Sequence, residues 1–149
     1  MGLKEDIALF SERLDNAVNL ILVTHVLPAA KKELKATISE NVYGAYTPES
    51  YHRRGTNGGL LDMSEVEYNL DEGDHTLYIQ DAATGNWNCG DLPGVVIADV
   101  IAAGEPFTWF GSGKHPVGGR PFHEDAERRF AESGKFAASL MKGLRGLGL

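Results

Sequence analysis

The chain has 149 residues, 42% of them apolar and 23% charged, with a formal net charge of −7. That is long enough to bury a real core and too apolar for an intrinsically disordered chain. The single cysteine, Cys89, excludes an internal disulfide framework.

Residues 1–6 lack the basic stretch of a secretory leader. Residues 4–43 read as helix. Ile7, Phe10, Leu14, Ala17 and Ile21 recur at spacings of three and four, and so do Leu27, Ala30, Leu34, Ile38 and Val42. Pro28 stands between the two runs and has no N–H to donate, which predicts a kink or break near Val26 and Leu27. The first stripe imitates a coiled coil but offers too few heptads for an extended one. Residues 18–27, the most apolar window, are too few to span a bilayer and include Asn19 and His25.

Gly44 closes the helical part. Residues 45–60 form a loop by their Gly, Pro and Asn content, yet they also carry Tyr46, Tyr51, His52, Arg53 and Arg54. Aromatics beside arginines are what interface centres favour; the equal alternative is that Tyr43, Tyr46 and Tyr51 cover the end of the helical core. A hairpin follows. Val66, Tyr68 and Leu70 alternate with Glu65, Glu67 and Asn69, the segment 71–74 turns, and Leu77 and Ile79 alternate with Thr76, Tyr78 and Gln80. The first-strand acids belong on the wet face. Residues 92–103 read as a short helix stopped by Gly104, with a buried strand over 95–101 as the other reading. Phe107, Trp109 and Phe110 add aromatic bulk before the glycine-rich run 111–119. Residues 123–140 are a closing helix, with Pro121 suited to its first turn and Phe122, Ala126 and Phe130 on one stripe. The whole predicts one α+β domain over 1–149. A long N-terminal helix, kinked near Pro28, and a C-terminal helix pack on a small antiparallel β-sheet.

Charge is unevenly spread. Residues 1–54 hold seven bases and seven acids, residues 55–113 hold ten acids and no Lys or Arg, and residues 114–149 hold seven bases and four acids. The acidic middle is either a solvated face or a surface for packing copies together and repelling DNA phosphates.

Candidate chemistry is thin. The run Gly111-Ser112-Gly113-Lys114 imitates a phosphate loop, but that motif needs glycine where Thr108 stands and Ser or Thr where His115 stands. The five histidines, His25, His52, His75, His115 and His123, show no ligand spacing, and Cys89 has no second cysteine to complete a zinc site. No metal and no cofactor is expected. His52 and Arg53, with His75 or His123, could serve a small metal-independent nuclease or toxin, His as base and Arg on phosphate. The ten acids of the middle block oppose that reading by repelling nucleic acid. A non-catalytic binding module is a third reading.

The order of pieces resembles the head–tail joining and minor tail component proteins of tailed bacteriophages. The resemblance rests on Ala102-Ala103-Gly104-Glu105, on Gly119-Arg120-Pro121-Phe122-His123-Glu124-Asp125-Ala126, and on the loop carrying Tyr46-Thr47-Pro48, Tyr51-His52-Arg53-Arg54 and Gly58-Gly59-Leu60. It implies a virion structural protein, assembled in the host cytoplasm, that does no chemistry and does not meet a membrane. It implies a homo-oligomeric ring at the neck, bridging the portal or its adaptor and the tail tube or tail terminator. DNA would pass through without specific binding. Tyr46, Tyr51, Arg53, Arg54, Glu65, Glu67, Arg120, Phe122 and Arg128 are the expected interface residues. A ring closed by a heterologous contact needs two complementary patches per copy; the acidic hairpin and the basic C-terminal helix are the expected pair.

Overall fold

The computed structural model describes residues 2–44, 56–83, 97–103, 107–108, 114–115 and 119–148. The N-terminal part is helical almost throughout. Helix α1, Leu3–Ile21, starts where Gly2 is extended, and the Glu5 carboxylate turns back to accept the Gly2 N–H at 3.0 Å. Glu5 and Asp6 in this first turn also suit the positive end of the helix dipole. A π-helical turn, Leu22–Val26, leads into α2, Leu27–Ile38. Pro28 explains it: an α-helical turn would have its ring collide with the carbonyl four residues back. The wider turn lets the Leu27 N–H reach the Leu22 carbonyl instead. The Thr24 hydroxyl donates to the Leu20 carbonyl at 2.7 Å. The expected break therefore takes the form of one bent helix. A second π turn, Ser39–Tyr43, ends at Gly44, whose N–H donates to the Ser39 carbonyl at 2.8 Å.

A 3-10 turn, Met63–Glu65, starts the hairpin of β1, Val66–Asp71, and β2, Thr76–Asp81. The strands are antiparallel, with Val66 opposite Asp81, Tyr68 opposite Ile79 and Leu70 opposite Leu77. Those six residues share one face, and Glu67, Asn69, Tyr78 and Gln80 share the other, as the alternation predicts. Helix α3, Ile97–Ala103, takes the helical reading of the 92–103 run, not the strand. A two-residue ladder, β3 Phe107–Thr108 with β4 Lys114–His115, was not legible in the glycine-rich sequence.

The closing helix is two helices, not one. Helix α4 is Phe122–Glu132 and α5 is Lys135–Gly146. Gly134 between them has φ +72°, a left-handed conformation that costs glycine little and other residues more. The break turns α5 back onto the first bend. There Gly143 lies so close to Ile21 that a methyl group on it would overlap that side chain.

Among the described residues, two clusters form the core. Leu34, Ile38, Val42, Leu60, Val66, Ala98, Phe122 and Ala126 join α2, the hairpin, α3 and α4. Leu22, Val26 and Phe130 form the second, beneath Leu70 and Leu77. Helices at both ends on a small antiparallel sheet are the α+β arrangement expected from the pattern. One ion pair lies inside it. Asp81, 1% exposed, receives Lys35 at 2.6 Å and the Ala83 N–H at 3.0 Å. Lys35 also donates to the Leu60 carbonyl. Three separate stretches thus meet at one ammonium group.

Removing one partner of a buried pair leaves the other charge buried alone. Lys35→Met is therefore expected to cost about 3–5 kcal/mol in urea unfolding. The double variant with Asp81→Asn should cost well below the sum of the two singles. Strict additivity would show that the two side chains are not coupled.

Candidate assembly surface

The described side chains leave little for an interior site. No buried side-chain nitrogen or oxygen among the described residues lacks a hydrogen-bond partner. No group of three His, Cys, Asp or Glu gathers there as a metal cluster. The described histidines have separate tasks. His25 bonds its neighbour Thr24 at 2.8 Å. His75, at φ +51° in the hairpin turn, donates from Nδ1 to Asn19 Oδ1 at 2.8 Å and sets Nε2 3.3 Å from Asp15. His123 accepts the Asp81 N–H at Nε2, 3.4 Å away. His75 and His123 therefore sit at opposite ends of β2, roughly 20 Å apart for a six-residue strand. His52 lies outside the described residues, as do Tyr46, Tyr51, Arg53, Arg54 and Cys89.

The remaining expected interface residues fall in different places. Glu67 is exposed on the outer hairpin face and Glu65 is half-buried in the 3-10 turn. Arg120 lies in the lead into α4, where its N–H donates to the Ile101 carbonyl at 3.1 Å and its guanidinium reaches the Val42 carbonyl at 3.4 Å. Phe122 is a correction. It is wholly buried in the first core cluster, so its ring is spent inside the chain and presents nothing to a partner. A sequence stripe cannot separate a core aromatic from an interface aromatic, because both are apolar. Arg128 is exposed but bonds Asp125 at 2.9 Å and lies 3.6 Å from Glu132 on its own helix.

Two further C-terminal bases are also paired. Arg129 pairs with Glu40 at 2.6 Å and Lys135 pairs with Glu33. These cations meet acids of the bent N-terminal helix, not those of the 55–113 block. Apart from the buried Asp81, the hairpin keeps its acids outward: Glu67, Asp71, Glu72 and Asp74 are all exposed.

Among the described residues, a run of exposed apolar side chains lies along α1. Leu3, Ile7, Phe10 and Leu14 are 76%, 59%, 62% and 38% exposed. They form one stripe at spacings of four, three and four. The same stripe continues to Ala17 and Ile21, and Ile21 is buried against α5. Just before that point the hairpin turn is fastened to α1, with Asn19 Nδ2 donating to the Glu72 carbonyl at 3.2 Å and His75 held as above. The second half of α1 is thus anchored, while the first half carries an apolar face without cover among the described residues. Sequence periodicity found the stripe but not where its own chain stops covering it.

The profile of the YomN family matches residues 6–146. The chain belongs to the YomN family. YomN proteins are phage-derived proteins of Bacillus. No curated protein and no solved structure matches the chain. The match spans both the anchored and the uncovered halves of α1, so the stripe lies within the YomN region from Ile7 onward. Among the described residues no helix is long and apolar enough to cross a membrane.

Two groups give this YomN chain distinct acid sensitivities. Burial holds the His123 imidazole below its ordinary value of 6.5, against the opposing pull of Asp81. The unfolded chain then takes up a proton on this histidine before the folded chain does, so stability falls as pH drops below about 6.5. Asp62 caps the 3-10 turn, accepting from Ser64 Oγ at 2.6 Å, Gly58 N–H at 2.8 Å and Ser64 N–H at 2.9 Å. Those bonds, Ser64 first, lower its carboxyl to about 2. Its contribution is present above the ordinary carboxylate value and is lost as pH falls toward 2. Thermal melts from pH 7 to pH 5 should show a falling midpoint, and His123→Gln should flatten that fall. Asp62→Asn should leave that slope unchanged, lowering the midpoint by a constant amount above about pH 4 and losing its effect as pH falls further. An unaltered slope in His123→Gln would contradict the assignment.

Proposed function

We propose that this chain is a structural component of a tailed-phage particle, forming a ring at the neck that joins head to tail. The observation that carries the reading is the half of α1 left uncovered among the described residues, whose buried side-chain polar atoms are all hydrogen-bonded. A surface of this kind gains free energy only when another protein covers it. The phage derivation of the YomN family supports the same setting.

In this reading the chain performs no chemistry. Portal or adaptor on one side, and tail tube or terminator on the other, are its partners. The exposed acids of the hairpin suit a wall beside moving DNA, because each phosphate left uncontacted removes a binding contribution. Lys and Arg that would otherwise hold DNA are partly neutralised within the chain, as in the Arg129–Glu40 and Lys135–Glu33 pairs.

Purified tailed particles of a phage encoding this chain test the proposal. Mass spectrometry should find it at a few copies per particle, and gold-labelled antibody should mark the head–tail junction. Its absence from particles that are complete and infectious would overturn the reading.

A further inference from the structure

The occupant of the α1 stripe follows from the charges beside it. We propose that the stripe packs antiparallel against the same stripe of a second copy, forming a two-fold dimer through residues Leu3 to Leu14. Leu3, Ile7, Phe10 and Leu14 keep the alternating four-and-three spacing of a coiled-coil seam. Asp6 and Arg13 are seven residues apart, two turns, on one flank of that seam. Lys4 and Ser11 occupy the other flank.

Flanking charges select the orientation of paired helices. In an antiparallel pair each flank meets its own counterpart running the other way. Setting Ile7 on Phe10 of the second copy, and Leu14 on its Leu3, brings Asp6 opposite Arg13 of that copy, twice by symmetry. The second flank places Lys4 near a neutral Ser11. In a parallel pair unlike flanks meet. Asp6 then faces Ser11, and Arg13 faces Val18, which is already packed against its own second core cluster. That orientation makes no ion pair. The antiparallel register also ends where it must. Beyond Leu14 the stripe is covered progressively by its own chain, with Ala17 half-buried and Ile21 buried against Gly143.

The charge balance of α1 argues against a bilayer as the occupant. The helix carries Glu5, Asp6, Glu12 and Asp15 against Lys4 and Arg13, and interfacial helices bind anionic membranes through basic polar faces. A self-complementary patch is what a two-fold contact requires. The inference rests on the same uncovered face of α1 as the neck proposal but is tested separately, since a dimer in solution and a place in the particle are separate observations.

Sedimentation equilibrium of the purified full chain across a wide concentration range tests it. A monomer–dimer equilibrium is expected. Phe10→Glu should raise the dissociation constant at least about 100-fold, as for a buried aromatic anchor, while circular dichroism and melting of the monomer stay unchanged. Arg13→Asp should weaken the dimer about 5- to 10-fold, and Asp6→Arg combined with Arg13→Asp should restore it. A chain that stays monomeric throughout overturns the proposal. So does a dimer indifferent to Phe10→Glu, or a charge exchange that fails to restore pairing.

Discussion

The Lys35–Asp81 pair is the constraint on which the rest of the molecule rests. A charged pair without water is tolerable only when geometry and further hydrogen bonds compensate its desolvation. Here the ammonium group takes Asp81 and the Leu60 carbonyl, and the carboxylate also takes the Ala83 N–H. The last position of β2 is thereby fixed against the middle of α2. The Asp81 N–H reaches His123, so the start of α4 is fixed to the same point. Once these are set, the register of β1 and β2 decides which hairpin face is covered, and Leu70 and Leu77 fall over the second core cluster.

That anchoring also explains where the structure stops covering itself. α4 and α5 fold back across the first bend because Gly134 permits the turn and Gly143 permits close approach to Ile21. The hairpin turn fastens to Asp15 and Asn19. Neither reaches the first three turns of α1. Helices of this length are marginal alone and gain stability from burial of an apolar face. The first half of α1 is therefore the face left uncovered among the described residues, and the one proposed to be completed by a second copy.

Periodicity in the sequence was enough for the helices, the hairpin alternation and the disruption at Pro28, because each rests on local spacing or on a missing N–H. It was not enough for the Ser133–Gly134 break, since a glycine within a helical pattern is compatible with both continuation and a stop. The β3–β4 ladder lay in a run whose glycines mask any strand pattern. The candidate surface was legible in part. Glu67 and Arg128 are exposed as expected, whereas Phe122 belongs to the core. Block charges left the pairing within the chain unread: Arg129 of α4 reaches Glu40 in the second π turn, and Lys135 of α5 reaches Glu33 of α2, acids distant in sequence. The Lys35–Asp81 pair had no sequence signal, because a lysine inside an amphipathic helix reads as solvated until the strand end that meets it is known.

The account makes α1 the functional face and the remainder its support. Amide hydrogen exchange along the chain, compared between dilute protein and its assembled state, tests this most directly. The account predicts that amides of residues 7–14 become strongly protected on assembly while those of α2 keep their exchange rates. Equal exchange of residues 7–14 in both states, with protection arising elsewhere, would contradict it.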